Sequence, residues 1–542
     1  MGLSISLANN DVSFAKEYHE ETKHSEISIR YSHHVMDWGD KPSPFKVYRS
    51  LPQVLLPSDV FRPKSGAFKA LTKLKFEKNR KPIDVATLAG ILFFSGGLTR
   101  ESKLPFGTYH MRAAPATGAL YPIEIYVVNG DIDGLKAGVY HFGPADFALT
   151  RLRDGDYRAE LSSATGNQES LTSSPVILVL TSLAWRNAWK YQSRSYRHWF
   201  WDSGVLTSNL LATAASAKLD AQLVMGFSDR SVDKLLCLEE GKEASIVLIS
   251  LGRDSNIMAS QSTQDVSEFK PEMLSLSRNE MTYDAIWKMH EASSLYEAED
   301  VRSWTQGTRE IPLPKETVSN DIVTYPLIVE RGGDSLQEPT LEEVILRRGS
   351  TRRFSSSPIS FGQLSEIIIN STTPLPMDFL DEKNTTNVHI YFIANAVEGL
   401  PSGAYYFNRE RMRLAQIKQG ELRKISGYLC LDQPLFSVAS VVFFLMTDLN
   451  VMLNRYGNRG YRASQFEAGV VAGNIYLSAY AVGIGASGST FYDDSVTEFF
   501  SPHAAEKSAM IAVGIGNPDY RARPGEILLG RMSRAELLGT EK

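Results

Sequence analysis

Cysteine is nearly absent: Cys237 and Cys430 are the only two in 542 residues, and they stand far apart. They form no CxxC pair, which excludes a disulfide framework and a thiolate metal cluster and fits a reducing, cytoplasmic setting. Long apolar runs are missing as well. No stretch approaches the roughly 20 residues of a membrane span. Residues 1–25 have no basic segment followed by an apolar one, so neither a secretory signal nor a membrane partner is expected. Charge of one sign is not in excess either. Lys+Arg number 57 and Asp+Glu 62, for a net charge of -5, which argues against a nucleic-acid partner. His19, His24, His33 and His34 have no cysteine beside them, and Glu17, Glu20, Glu21 and Glu26 read as a solvated face; no metal is expected. A Gly-rich dinucleotide fingerprint is also lacking.

What is present is the balance of a globular protein with sizeable cores: 43% hydrophobic and 22% charged residues. Residues 82–98 predict a buried helix that stops at Gly96-Gly97. Residues 138–152 read as a hairpin with Gly-Pro in its turn, and 175–183 and 245–252 as strands. The second half of 190–218 predicts a helix of small residues around Gly204, Ala212, Ala214, Ala215 and Ala217, suited to close packing. Residues 253–335 are rich in Ser, Glu and Asp and read as a linker over the surface, with one amphipathic segment at 283–295. Residues 112–128 join a small-residue loop to an apolar strand. Ala113, Ala114, Ala116, Gly118 and Ala119 let backbone amides approach a flat ligand there.

A shift of 265 positions aligns the chain with itself, without gaps, over three blocks. IEIYVVN at 123–129 faces VHIYFIA at 388–394, and 138–152 faces 403–417. In the third block, 190–221 against 455–486, Tyr191/Tyr456, Arg194/Arg459, Tyr196/Tyr461, Arg197/Arg462, Gly204/Gly469 and Asn209/Asn474 coincide. One offset across three separated blocks means two copies of one domain, expected to pack about a pseudo-twofold axis. The copies diverge where a ligand would bind. PATGALYP at 115–122 faces LDEKNTTN at 380–387. Conversely, RRGSTRRF at 347–354 precedes a helix at 361–369 and offers the guanidiniums and hydroxyl that a phosphate takes. The corresponding KALTKLKF at 69–76 keeps lysines without that spacing.

RAAPATGALYPIE, WKYQSRSYRHWFWDSG, RRGSTRRF, RYGNRGYRASQFEAGVVAGN and YHEETKHS resemble the nitroreductase superfamily, specifically the SagB/ThcOx-type dehydrogenases of peptide natural-product pathways. The resemblance implies an α+β fold: tandem nitroreductase-like domains forming an intramolecular pseudo-dimer, with FMN between them. The expected domains are an arm at 1–60, domain 1 at 61–255, a linker at 256–335 and domain 2 at 336–542. Arg348, Ser350 and Arg352 match the family's phosphate and ribityl grip. Pro115, Thr117, Gly118, Ala119, Leu120 and Tyr121 match its loop beside the flavin ring, with Thr117 replacing the usual first Gly of a pair. Gly485, Ala486, Ser487 and Gly488 are expected to add backbone amides, and Arg521 and Arg523 to add to the phosphate site. The family's Lys-Tyr pair, thought to deprotonate substrate, maps onto Lys190 and Tyr191; the second copy has Arg455-Tyr456, and arginine is a poor base.

Each copy keeps what the other has lost, so one composite FMN site per chain is expected. The implied reaction is oxidation of an azoline or similar peptide-derived substrate. Lys190 takes a proton, with Arg194 or Arg197 lowering its pKa, and molecular oxygen reoxidises the flavin. Trp185, Trp189, Trp199 and Trp201 offer an aromatic wall or a packed core. Two alternatives stay open: an NAD(P)H-dependent flavin reductase, nitroreductase or dehydroamino-acid reductase, and a non-catalytic scaffold. Expected partners are a small-molecule or peptide-derived substrate, a cyclase or carrier protein, and a further copy of the chain.

Overall fold

The computed structural model describes residues 9–75, 82–104, 107–253, 266–306, 323–328, 338–380 and 385–540. Each half of the chain builds one seven-stranded antiparallel sheet. The first holds β1 (Gln53–Leu55), β2 (Ile123–Asn129), β3 (Gly138–Gly143), β4 (Ala148–Asp154), β5 (Val176–Leu183), β6 (Ala221–Val224) and β7 (Glu243–Leu251), in spatial order β1-β4-β3-β2-β5-β7-β6. The second holds β8 (Thr324–Pro326), β9 (His389–Ala394), β10 (Gly403–Asn408), β11 (Arg413–Gln419), β12 (Val441–Thr447), β13 (Gly485–Ser489) and β14 (Ser508–Gly516). Its order, β8-β11-β10-β9-β12-β14-β13, is the same sequence of counterparts. The central strands β2, β5 and β12 are buried along their whole length. That is why they read as unbroken apolar runs rather than alternating ones.

Two long helices, Ser195–Ser216 and Arg459–Ala481, pack against each other at the centre. Glycine permits the approach. A Cβ on Gly204 would lie 2.6 Å from the Phe466 carbonyl oxygen, and one on Gly469 would lie 2.8 Å from those of Phe200 and Trp201. The contact is reciprocal, since Gly204 and Gly469 are repeat partners. Ser208 Oγ donates to Asn474 Oδ1 at 2.7 Å beside it.

The arginines of both copies lock the halves together. Arg194 and Arg197 reach Asp493 at 2.9 and 2.6 Å; their counterparts Arg459 and Arg462 both reach Asp229 at 2.6 Å. All are buried, and each aspartate belongs to the other half. Arg197 also donates to the His19 carbonyl at 2.7 Å and to Thr22 Oγ1. Arg462 donates likewise to the His290 carbonyl at 2.5 Å and to Ser293 Oγ at 2.7 Å. Helices Ser13–Glu21 and Asp284–Ala292 therefore occupy equivalent places. HEET at 19–22 and HEAS at 290–293 are a further piece of the repeat.

This corrects two expectations. The segment at 1–60 is more than an arm: Ala15, Tyr18 and His19 are core. The described part of 253–335 does not simply wrap the surface, because Ile286, Met289 and Trp304 are buried and β8 edges the second sheet. Among the described residues, no helix is long and apolar enough to cross a membrane, and no group of three or more His, Cys, Asp or Glu is placed to hold a metal.

Candidate functional site

The loop before β2 has an unusual backbone. Gly118, Ala119 and Tyr121 have φ of 61°, 51° and 51°, a left-handed region that costs alanine and tyrosine free energy. Side chains hold it there. Thr117 donates through its amide and its hydroxyl to Asp202 Oδ1, at 2.8 and 2.7 Å, and Asn187 donates to the other carboxylate oxygen. The Tyr109 hydroxyl donates to the Ala119 carbonyl at 3.1 Å, and Arg186 to that of Tyr121 at 2.9 Å. Leu120 and Tyr121 are buried, Pro115 and Thr117 half-buried, and Gly118 is exposed. Burial raises the Asp202 carboxyl to about 6 against the pull of its Thr117 and Asn187 hydrogen bonds.

Lys190 and Tyr191 end the helix Ala184–Tyr191 and are both half-buried. The Tyr191 hydroxyl lies 2.7 Å from where a Cβ on Gly118 would stand, so a side chain there would collide with it. Lys190 Nζ is 5.2 Å from the centre of the Tyr191 ring. Burial, and then the charge of Arg352, push the Lys190 ammonium below its ordinary pKa. Burial pushes the Tyr191 phenol up. The cation acting on Lys190 is thus Arg352; Arg194 and Arg197, expected in that role, are spent on Asp493.

The second half meets this loop directly. Arg348 follows the helix Leu341–Arg347 and is buried, donating to the Ala113 carbonyl at 3.0 Å and the Arg112 carbonyl at 2.8 Å. Ser350 sits half-buried beside Tyr476, whose hydroxyl accepts the Gly488 amide. The Thr351 amide donates to the Ala486 carbonyl at 2.8 Å, and Gly485 lets Thr351 Oγ1 lie against its Cα. Ser487 is buried while Gly488 and Arg352 are exposed. Arg521 and Arg523 are exposed on a stretch laced to the same segment, with Asp519 N on Arg353 O at 3.0 Å and Gly525 N on Leu346 O at 2.7 Å. The four tryptophans are core, not wall: Trp201 donates to Gln465 at 2.5 Å, Trp199 packs on Trp287, Trp189 bonds the Asp37 carbonyl and Trp185 bonds Ser277.

Sequence reasoning missed several supports. Arg100 donates to the Arg348 carbonyl at 2.6 Å and the Leu346 carbonyl at 2.8 Å. It lies, with Tyr109, on a hairpin (Leu98–Leu104 and Gly107–Arg112) that has no counterpart strand pair among the described residues of the second half. Asp202 did carry a signal. Its repeat partner Glu467 holds Thr386 Oγ1 and the Asn387 amide, at 2.5 and 2.9 Å, in the loop opposite.

The pseudo-symmetric position is filled by the chain itself. Leu223, the counterpart of exposed Gly488, is sewn to Pro376 O at 2.8 Å and to the Asp378 amide at 3.0 Å. Arg455 and Tyr456, counterparts of Lys190 and Tyr191, are buried. The Tyr456 hydroxyl donates to the Phe379 carbonyl at 2.6 Å, and Trp304 packs on its ring at 5.5 Å. Residues 381–384 of the facing loop, and Phe76 of the lysine segment, lie outside the described residues. At the first position, by contrast, bare glycine backbone at Gly118 and Gly488 lies near a hydroxyl and cations. Lys190 and Arg352 have no ion-pair partner among the described residues. Such a donor set fits a flat group that carries a phosphate.

Comparison with known proteins agrees with the repeat. The model of the nitroreductase family matches residues 79–253 and again 345–516. A protein of Methanocaldococcus jannaschii that carries the nitroreductase name is 29% identical over 172 residues, 32% of this chain and 82% of its own length. The trifolitoxin-processing protein TfxB of Rhizobium leguminosarum bv. trifolii is 29% identical over 184 residues, 33% of this chain and 49% of its own length. The microcin B17-processing protein McbC of Escherichia coli is 25% identical over 146 residues, 26% and 54% respectively, so the match spans about half of each processing protein. In fold, a crystal structure of a nitroreductase-named protein from Anabaena variabilis covers 93% of this chain and 99% of its own, with a TM-score of 0.73 at 24% identity. With two matched regions that together take in more than half of its length, the chain belongs to the nitroreductase family.

Proposed function

We propose that the chain is an FMN-dependent oxidoreductase with one composite flavin site, formed between two domains (61–255 and 336–542) that act as an intramolecular pseudo-dimer. The observation that carries this reading is the asymmetry between the two pseudo-equivalent positions. One presents exposed glycine backbone and cations with no ion-pair partner among the described residues; the other is filled by Trp304, Met377 and Phe379.

In this reading Ser350 and Arg352 would hold the phosphate, with Arg521 and Arg523 adding charge and Gly485–Ser489 adding backbone amides. The Thr117–Tyr121 loop would hold the ring. Arg348 acts by fixing the first half's backbone at Arg112 and Ala113 to the second half's grip. When bound, FMN supplies the hydride acceptor. The chain manages the proton: Lys190, lowered by burial and by Arg352, takes it from the substrate carbon at Nζ, and Tyr191 braces both Lys190 and Gly118. The substrate we infer is an azoline or similar peptide-derived ring, with a cyclase or carrier protein as partner. The resemblance to TfxB and McbC, named for the processing of trifolitoxin and of microcin B17, supports that class.

Lys190→Ala tests the assignment. The variant should bind FMN as tightly as the wild type and lose substrate oxidation. Full turnover would remove Lys190 from the mechanism, and a wild-type chain that takes up no flavin would remove the reading as a whole.

A further inference from the structure

Two tyrosines grip the tip of the flavin-facing loop, and a lysine lies over each. The Tyr109 hydroxyl holds the Ala119 carbonyl at 3.1 Å, and Lys41 Nζ is 4.9 Å from the Tyr109 ring centre. The Tyr191 hydroxyl abuts Gly118, and Lys190 Nζ is 5.2 Å from the Tyr191 ring centre.

Lys41 is held in place. Trp38 packs edge-on against Trp189 at 5.2 Å, Arg112 donates to the Pro44 carbonyl, and the Ser43 amide bonds Leu276 O at 2.7 Å. Both lysines are half-buried, and neither has a carboxylate partner among the described residues. Burial and the charge of Lys190 push Lys41 down, as burial and Arg352 push Lys190 down. Cations kept together, partly out of water and with no acid between them, repel one another, and an anion placed among them relieves the cost. Arg348 of the grip at 348–352 ties the loop down at its start, at Arg112 and Ala113, while Arg352 brings a further cation to Lys190 at the tip.

We propose that Lys41, with Lys190 beside it, binds a carboxylate of the substrate at the tip of the 117–121 loop. Lys41 supplies the fixed charge, while Lys190, beside Tyr191, stays available as proton acceptor. The substrate class narrows to a ring compound that carries a carboxylate close to the bond being oxidised. This rests on the proposed flavin site, which the loop tip faces.

The test uses the full chain saturated with FMN. Benzoate and its neutral isostere benzamide are titrated while the visible flavin band is followed. The wild type should bind benzoate at least tenfold more tightly than benzamide. Lys41→Gln should lose about tenfold in benzoate affinity, the size of a charge-assisted contact, with benzamide and FMN affinities unchanged. Lys41→Arg should restore most of the loss. Equal effects of Lys41→Gln on benzoate and benzamide would overturn the proposal. So would tighter binding of inorganic phosphate than of benzoate, or a tenfold loss of FMN affinity in Lys41→Gln, which would assign the lysine to the cofactor. Should the wild-type chain bind no FMN, the proposed function fails separately, and the same benzoate titration by calorimetry still decides the carboxylate site.

Discussion

Removing Arg352 separates the electrostatics of the site from its architecture. Its side chain is exposed and bonds nothing among the described residues; only its amide is engaged, by the Tyr520 hydroxyl at 3.2 Å. Arg352→Ala should therefore change stability by no more than about 0.5 kcal/mol. Two other effects should be large. A charge-assisted bond to phosphate contributes about 1.5–3 kcal/mol, so the FMN dissociation constant should rise roughly 10- to 150-fold. Lys190 should also change. Arg352 is the charge that lowers it, and burial does the rest, so loss of the guanidinium moves its pKa part of the way back up. A base must be deprotonated, so the rising limb of the rate-against-pH profile should move to higher pH. Flavin fluorescence gives the first quantity, and the reductive half-reaction at saturating FMN from pH 6 to 10 gives the second. Unchanged FMN affinity would take Arg352 out of the grip, and a limb that moves to lower pH would refute the reading of Lys190.

Three further outcomes follow from buried groups. Asp493→Asn leaves Arg194 and Arg197 without their shared anion and should cost about 3–5 kcal/mol in urea unfolding; a loss under 1 kcal/mol would contradict the inter-half lock. Because Asp493 is held well below the ordinary carboxylate range by those two cations, its contribution should be present above about pH 4 and lost as the pH falls below it. Asp202 has the opposite sign. Burial raises it to about 6, so its ionisation weakens the fold as pH rises from about 4 to 6. Asp202→Asn should therefore gain on the wild type by up to about 3 kcal/mol between pH 4 and pH 7, measured by denaturant midpoints; a flat difference would contradict it. Gly469→Val places side-chain carbons within 2.8 Å of the Phe200 and Trp201 carbonyls and should cost at least about 1–3 kcal/mol by overpacking, read as a lower melting temperature.

The repeat was legible because each copy must cross at an equivalent glycine, Gly204 or Gly469, and reach an aspartate of the other half through the same pair of arginines, and those demands keep residue types at a constant spacing. Its full extent was not. HEET at 19–22 and HEAS at 290–293 are short and lie at a different offset, so they stand out only once Arg197 and Arg462 are seen bonding the His19 and His290 carbonyls. The loop at 117–121 was legible as a place where the copies diverge, from its small residues and their absence in the second copy. Its left-handed alanine and tyrosine were not, since sequence alone marks such backbone at glycine. Arg194 and Arg197 show the commonest misreading: charged residues near a catalytic motif look like its tuning groups, but burial made them structural. Arg352, exposed where both of those are buried, holds that place because the fold brings residue 352 to residue 190.

The flavin content of the purified full chain tests the central claim most directly. After saturation with FMN and removal of the excess, absorbance against protein concentration should give one flavin per chain. Two per chain would mean that the position filled by Trp304 and Phe379 opens to the cofactor, and would contradict a single composite site.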